Sequence, residues 1–299
     1  MKIIVTGSLG HISKPLTKTL LNSGHEVTVI SSSPERRNEI ESLGAKPAIG
    51  SLEDTSFLVQ TFTGADAVYS MVPPNNYFDP DLDLLAYYRR VGLSYYNAVK
   101  QSGIKRIVNL SSIGANMEKG NGILLGAHDI EHMLNELPAE VSITHLRPTS
   151  FYYNLFSFAD MIKNTGVIAA NYGGDDVVPW VSPLDIAAVA ANELETLNEG
   201  RKIRYVVSEA LSCNRTAEIL GQEIKMPDLK WIVISDEEML NGLKAIGMNP
   251  TISAGLVEMY AGFRSGILVE HFNQYKPAEF GLVKMTDFAK DFANVYLQK

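Results

Sequence analysis

The sequence predicts an α/β protein built on a doubly wound parallel sheet, in which helices cover both faces of parallel strands. Three observations lead to this fold class. Short apolar segments alternate with longer amphipathic segments over the first half of the chain. The apolar segments are hydrophobic at nearly every position, as strands covered on both faces must be. A turn containing Gly7 and Gly10 directly follows the first of them.

The strands and helices of this first half follow from their apolar patterns. Short runs rich in β-branched residues predict strands. These strands lie at Lys2–Thr6, Glu26–Ile30, Pro47–Gly50, Ala67–Met71, Arg106–Leu110 and Ser142–Arg147. Apolar residues that recur every three to four positions predict the helices between them. These helices lie at Lys14–Ser23, Ser33–Leu43, Asp54–Phe62, Leu84–Ser102 and Asp129–Leu137.

The alternation changes after Pro148. Later elements are predicted as helices at Phe151–Ile162 and Asp185–Leu197, a strand and turn at Gly166–Gly174, and short strands at Tyr205–Ser208 and Trp231–Ile234. We therefore expect a first domain over residues 1–150 and a smaller α/β domain over residues 151–299. Exchange of elements between the two is expected, so the boundary is soft.

Composition excludes several classes of protein. The 299 residues carry 26 Lys and Arg against 34 Asp and Glu, a formal charge of -8, which disfavours binding to nucleic acid or to anionic lipid. The single cysteine, Cys213, excludes an intramolecular disulfide and a zinc site built on several cysteines. The opening residues MKIIVTG are interrupted by glycine too soon for a signal peptide, and no apolar run reaches bilayer length. We expect a soluble, cytoplasmic protein.

The strongest local signal is the turn from Val5 to Ser13. It follows a predicted strand and opens a predicted helix, so its backbone N–H groups and the helix N-terminus favour a phosphate. Together they predict a Rossmann-type fold that binds a dinucleotide. The expected pyrophosphate-binding residues are Gly7, Ser8, Leu9, Gly10, His11 and Ile12. The alternative is a tight turn without a ligand.

The end of the second strand bears on the choice of cofactor. An acidic residue there would bind the ribose 2′-hydroxyl of NAD, but this chain has Ser31, Ser33 and Arg36. Hydroxyls and a planar guanidinium suit a 2′-phosphate, so NADP(H) is preferred over NAD(H). The alternative is a helix N-cap at Ser33 followed by exposed arginines.

Further candidates follow other strands at the edge where ligands bind in such sheets. They are Met71 and Val72 after the fourth strand, Ser111 after the fifth, and Pro148 and Phe151 after the sixth. The loop Asn75–Asp83 carries Tyr77 and Phe78, which suit the wall of an apolar substrate pocket.

Several segments resemble the NmrA-like group of atypical short-chain dehydrogenases/reductases. The resemblance rests on Thr6-Gly7-x-x-Gly10-x-x-Ser13, Gly50-Ser51-Leu52-Glu53-Asp54 with Gly64-Ala65-Asp66, Arg106–Ser112, Leu146–Asn154 and Val181–Ala187. It spans residues 2 to about 200, and Arg215–Ile224 fits a later family helix. The resemblance implies a quinone or isoflavone-type reductase that uses NAD(P)H, or a redox sensor that binds the dinucleotide without turning it over.

The chain departs from this resemblance at the usual Tyr-x-x-x-Lys pair, which handles the proton in carbonyl reduction. Alignment on Glu131 places Ile123 and Ala127 at the two positions, and a shift of one residue places Leu124 and His128 there. Neither register restores the pair. Carbonyl reduction and sugar-nucleotide epimerisation by the standard route are therefore disfavoured.

His128 is the candidate catalytic residue, because an imidazole titrates near neutral pH. Its alternative role is that of a structural hydrogen-bond donor at the start of a helix. Tyr152 and Tyr153 are other candidate donors, whereas Arg147 is expected to be structural. His128 and His132 lack a third ligand, so no metal is assigned.

These features favour an NADPH-dependent reductase that transfers hydride to a quinone-like or another electrophilic small molecule. An electron-poor acceptor needs little acid catalysis, because proximity and a dry pocket supply much of the rate. A catalytically silent NADP(H)-sensing regulatory protein is the alternative, although no partner-binding motif is present. Neither the oligomeric state nor the substrate follows from the sequence.

Overall fold

A computed structural model describes residues 1–298. Within them the strands are β1 (Lys2–Val5), β2 (Glu26–Ser31), β3 (Lys46–Ile49), β4 (Ala67–Ser70), β5 (Arg106–Leu110), β6 (Ser142–Pro148), β7 (Ser150–Phe151), β8 (Val167–Ala170), β9 (Val177–Val181), β10 (Arg201–Val206), β11 (Glu209–Ser212) and β12 (Lys230–Val233). The six strands predicted in the first half each agree with β1 to β6 to within a residue or so at either end.

The α-helices in the same residues are α1 (Ser13–Asn22), α2 (Arg37–Ser42), α3 (Thr55–Phe62), α4 (Leu84–Ser102), α5 (Leu125–Asn135), α6 (Ala159–Thr165), α7 (Pro183–Glu195), α8 (Cys213–Glu223), α9 (Asp236–Ala245), α10 (Pro250–Arg264), α11 (Ile267–Tyr275) and α12 (Met285–Gln298). Short 3₁₀ helices lie at Pro34–Arg36, Gly122–Leu124 and Tyr152–Phe158.

The central sheet has seven parallel strands in the order β10-β6-β5-β4-β1-β2-β3. Its two faces are covered separately. Buried side chains of α1, α2 and α7 pack on one face, and those of α3, α4 and α5 pack on the other. The predicted doubly wound α/β fold is therefore confirmed. The order reverses between β1 and β4, which places a crevice at their carboxyl ends.

The remaining strands form two small sheets in the second half. One has the order β11-β9-β7, and the other pairs β12 with β8. A third apolar core joins them to α8, α10 and α12. Two elements after residue 150, α7 and β10, belong with the central sheet. The division into domains at residue 150 stays a prediction.

Three predicted helices differ from the structure. Ser33–Leu43 divides into the 3₁₀ turn Pro34–Arg36 and α2. Phe151–Ile162 divides into β7, a 3₁₀ helix and α6, because Phe151 pairs with Val181 in the β11-β9-β7 sheet. The helix predicted at Asp129–Leu137 is α5, which begins four residues earlier at Leu125. Gly126, the second residue of α5, leaves room for the ring of Tyr88, because a Cβ at this position would lie 2.6 Å from that ring.

Candidate functional site

The glycine turn after β1 has the geometry that a phosphate-binding turn needs. Gly7 has φ +84° and Ser8 has φ +54°, so the chain bends sharply towards α1. Ser13 stands where the family has its third glycine, and its hydroxyl donates to the carbonyl oxygen of Thr6 at 2.7 Å. A Cβ at Gly7 would lie 2.7 Å from that hydroxyl oxygen, so the serine fills the space that Gly7 leaves.

The N-terminus of α1 is open to a ligand. No side-chain cap and no acidic residue occupies its first turn, although Lys14 and Leu16 already donate to the carbonyl oxygens of Gly10 and Ile12, and Pro15 has no N–H. Gly10 is exposed, and a Cβ there would meet only the carbonyl oxygen of Gly7, at 3.2 Å. The N–H groups of His11, Ile12 and Ser13, which have no partner within residues 1–298, together with the helix dipole and the room for close approach fit a pyrophosphate. The flanking residues of the predicted set, Leu9, His11 and Ile12, lie on this same turn.

The turn after β2 carries the residues predicted to choose the cofactor. The Ser31 hydroxyl accepts from the Ser8 hydroxyl at 3.0 Å and from the Ser33 N–H at 3.2 Å, so Ser31 shapes the two turns. Ser33 occupies the N-cap position of Pro34–Arg36, although its side chain makes no capping hydrogen bond.

Arg36 belongs to a charged cluster that the sequence analysis did not identify. Its guanidinium donates to Glu39 Oε2 at 2.5 Å, and the Lys14 ammonium donates to Glu39 Oε1 at 2.9 Å. These two hydrogen bonds, from Lys14 and then from Arg36, hold the pKa of Glu39 below its usual range. Lys14 lies 22 positions before Arg36 in the sequence, but both side chains bond to the same carboxylate, that of Glu39. Two cations therefore flank the edge of the crevice beyond β2.

The other side of the crevice lies at the ends of β4, β5 and β6. The N–H of Met71 donates to the hydroxyl of Thr6 at 3.0 Å, and its carbonyl oxygen accepts from the Tyr95 hydroxyl at 2.7 Å. Met71 and Val72 are half-buried, and a Cβ at Gly7 would lie 2.8 Å from the Met71 sulfur. These bonds fix the segment after β4 against the glycine turn.

The candidates after β5 and β6 lie in less exposed positions. Pro148 is buried as the last residue of β6, and Phe151 is half-buried in β7. The Ser111 hydroxyl is turned inward and donates to Glu131 Oε1 at 2.5 Å. That hydroxyl is thus already bonded within the protein.

Glu131 and Arg147 form a buried ion pair below Ser111. Their side chains are 5% and 4% exposed, and the guanidinium donates to both carboxylate oxygens, at 2.9 and 2.5 Å. Burial raises the pKa of Glu131, but the hydrogen bonds from Arg147 and Ser111 together with the charges of His145 and Arg147 outweigh burial and hold the pKa below its usual range. Arg147 therefore has the structural role expected from the sequence.

His128 lies within α5 rather than at the start of a helix. It is buried, and its Nδ1 lies 2.9 Å from the carbonyl oxygen of Ala115. Because a carbonyl only accepts, Nδ1 carries the hydrogen and His128 donates it to the backbone. The His128 ring also lies 4.1 Å from the ring of His132. This geometry supports the structural role that the sequence left open.

We expect His128→Ala to lower stability rather than catalysis. The substitution leaves the buried carbonyl of Ala115 without its donor, which costs about 1–3 kcal/mol in the free energy of unfolding. Chemical denaturation measures that loss, and turnover per folded molecule should stay unchanged. Glu136→Ala, at the exposed C-terminal end of the same helix, is the control. A fall in kcat of about 10²- to 10⁴-fold at unchanged stability would instead make His128 the proton donor.

The usual tyrosine position is covered by α10. A Cβ at Gly122 would overlap the carbonyl oxygen of Gly255, so the two backbones touch. A Cβ at Gly255 would in turn lie 2.9 Å from Cγ2 of Ile123, the residue aligned with the tyrosine. A helix therefore occupies the space beside the position where the standard pair would act.

Tyr152 and Tyr153 differ in where they lie. Tyr152 is buried, donates to the carbonyl oxygen of Val283 at 3.2 Å and stacks on Phe288 at 5.3 Å between ring centroids. Tyr153 is half-buried, and its ring stands edge-on to His11 of the glycine turn at 4.5 Å. Burial raises the pKa of the Tyr153 phenol, which keeps it protonated. Only Tyr153 of these two residues contacts the glycine turn.

Two further properties concern residues 1–298. No helix among them has both the length and the apolar character needed to cross a bilayer. No three His, Cys, Asp or Glu side chains there lie together in a way that suits a metal ion.

Comparison with known proteins identifies the family. Residues 7–196, which run from Gly7 of the glycine turn through Arg36 to the end of α7, match a family described as NAD(P)H-binding. The chain belongs to this NAD(P)H-binding family. The match confirms the dinucleotide-binding family that the sequence resemblance implied.

Two proteins similar in sequence to this chain are named as reductases. The chain is 28% identical to the (4-alkanoyl-5-oxo-2,5-dihydrofuran-3-yl)methyl phosphate reductase of Streptomyces griseus, over 76% of this chain and 77% of that protein. It is 23% identical to the NAD(P)H azoreductase of Xenophilus azovorans, over 87% of this chain and 86% of that one. The crystal structure of an Escherichia coli NADPH-dependent quinone oxidoreductase with NADPH has a similar fold, with a TM-score of 0.78, 18% identity and coverage of 97% and 99%.

Proposed function

We propose that this protein is an NADPH-dependent reductase that transfers hydride to a quinone-like or another electrophilic small molecule, without a Tyr–Lys pair. The observation that carries the proposal is the open N-terminus of α1 behind the Gly7–Gly10 turn, flanked by Arg36 and Lys14. The reductase relatives support the reaction class.

The proposed roles follow from the positions of the residues. The glycine turn and α1 bind the pyrophosphate. Arg36 and Lys14 release the Glu39 carboxylate and bind the 2′-phosphate in its place. Met71, Val72, Pro148 and Phe151 line the nicotinamide end, where bound NADPH would supply the hydride. The Tyr153 ring closes the crevice against His11.

The proton requires little from this chain. A reduced quinone or azo nitrogen is basic enough to take its proton from water, so orientation and exclusion of bulk water carry the rate. A reaction that needs no acidic side chain agrees with two observations: α10 covers Ile123, and His128 already donates its hydrogen to the carbonyl oxygen of Ala115. Location in the cytoplasm stays a prediction.

The test is NADPH oxidation with a panel of quinones, azo dyes and aldehydes, with dinucleotide affinity measured by calorimetry in parallel. We expect turnover with the quinones or azo dyes and little with the aldehydes, because the aldehydes need the missing acid. Tight NADPH binding without turnover of any acceptor would reject the reductase and favour the redox sensor.

Arg36→Ala should weaken binding of NADPH roughly 10- to 150-fold, the value of one charge-assisted hydrogen bond, and leave binding of NADH nearly unchanged. Lys14→Ala should act in the same direction. The control is Arg37→Ala, because Arg37 is also exposed and lies 3.9 Å from Glu41 rather than in the cluster. Equal losses for both cofactors, measured by calorimetry, would remove Arg36 from the 2′-phosphate site.

A further inference from the structure

The loop of residues 75–83 begins at the crevice, since it follows β4 and the pair Pro73 and Pro74 at the carboxyl edge of the sheet. It has no regular secondary structure, but its own side chains shape it. Asn76 Oδ1 accepts from the Phe78 N–H at 3.1 Å, and Asp79 Oδ1 accepts from the Asp81 N–H at 2.9 Å. Tyr77 and Leu82 pack against the core of the second half. The loop is therefore held on the core and leaves the Phe78 side chain 49% exposed.

One side chain from far along the chain holds this loop. Asn249 is 4% exposed, and its side-chain nitrogen lies 3.0, 3.2 and 3.2 Å from the carbonyl oxygens of Asp79, Pro80 and Leu82. Its backbone N–H donates to the carbonyl oxygen of Tyr77 at 2.9 Å. The backbone of the loop is thus bonded to Asn249 at both of its ends.

The side-chain amide of Asn249 also caps the N-terminus of α10. Asn249 Oδ1 accepts from the N–H groups of Thr251 and Ile252, at 2.9 and 3.3 Å. Capping needs only an acceptor, and Ser235 caps the neighbouring α9 with a hydroxyl. The donor half of the Asn249 amide is therefore not required by the helix, and all of its hydrogen bonds go to the loop.

Helix α10 connects two walls of the crevice. It begins at the loop of residues 75–83 and then crosses the turn Gly122–Leu124 at Gly255, beside the usual tyrosine position. A displacement of its first turn would move the loop relative to that covered position.

We propose that Asn249 is a positioning residue: its buried amide clamps the loop of residues 75–83 to α10 and so fixes the apolar wall that orients the electron acceptor. The proposal rests on the reductase function proposed above. It assigns acceptor binding to the loop and leaves binding of the dinucleotide to the glycine turn, so the two affinities should respond separately.

The test is Asn249→Ser, which keeps an oxygen to cap α10 but loses the amide NH₂ that donates to the loop. Loss of these hydrogen bonds should accelerate hydrogen exchange at the amides of residues 75–83 by at least about tenfold. It should raise KM for an apolar quinone by about tenfold, leave kcat within about threefold and leave the Kd for NADPH within about twofold. Ser235→Ala is the matched control, because it removes the cap of α9 without touching the loop.

Two results would overturn the proposal. Unchanged exchange at residues 75–83 in Asn249→Ser would show that the amide does not hold the loop. Faster exchange with an unchanged KM, or an equal rise of KM in Ser235→Ala, would show that the loop does not orient the acceptor. A wild-type protein that reduces no acceptor would instead reject the proposed function, and the exchange measurement would still decide whether Asn249 clamps the loop.

Discussion

Gly10→Val should remove dinucleotide binding and leave the protein folded. A Cβ added at Gly10 would meet only the carbonyl oxygen of Gly7, at 3.2 Å, so this carbonyl would have to shift by only a few tenths of an ångström. The valine methyl groups would instead occupy the place of the pyrophosphate at the open N-terminus of α1. Loss of about two charge-assisted hydrogen bonds corresponds to roughly 3–6 kcal/mol, or two to four orders of magnitude in Kd for NADPH.

Calorimetry of NADPH binding, together with thermal unfolding, measures this effect. Gly242→Val is the matched control, because Gly242 lies in α9 with no atom near its Cβ position. Gly7→Val would be uninformative, since Gly7 has φ +84° and a Cβ there would clash with Ser13 and Met71. Unchanged affinity in a folded Gly10→Val protein would place the dinucleotide elsewhere.

The elements that the sequence predicted well are those set by local pattern. Strands β1 to β6 are rich in apolar and β-branched residues, although β6 also carries Thr144, His145 and Arg147, and the glycine turn places Gly7 at a positive φ that few other residues adopt. The end of β2 was also predictable, because the absence of an acidic residue is visible in the sequence itself. Each of these features depends on residues within about ten positions of one another.

The features that could not be predicted depend on contacts between distant residues. Lys14 joins Arg36 only through Glu39, and Asn249 reaches Asp79 across 170 positions. Helix α5 begins four residues before its predicted start, and its Gly126 serves a contact with a distant residue, because it admits the Tyr88 ring. A small residue at a helix crossing and a small residue at a turn look alike in a single sequence.

Glu131→Gln should be the most destabilising of the substitutions considered. It leaves Arg147 as a buried cation without its counter-ion and weakens the hydrogen bond from Ser111. Removing one partner of a buried pair typically costs about 3–5 kcal/mol in the free energy of unfolding. Chemical denaturation at neutral pH measures this loss. Glu140→Gln, which breaks the exposed pair with Lys105, is the control and should have no measurable effect.

The pH dependence of stability separates charge from packing in this pair. The folded-state pKa of Glu131 lies below its ordinary value of 4.5, so the stability due to its carboxylate is complete above that pH and is lost as the pH falls through the lowered pKa. The difference between wild type and Glu131→Gln should therefore be constant near neutral pH and shrink in acid. His145, whose pKa burial lowers from 6.5 to about 4, destabilises both proteins as the pH falls between those values.

Addition of Arg147→Met to Glu131→Gln should restore much of the stability, because no buried charge remains. A double variant no more stable than Glu131→Gln alone would show that packing rather than the ion pair holds this part of the crevice.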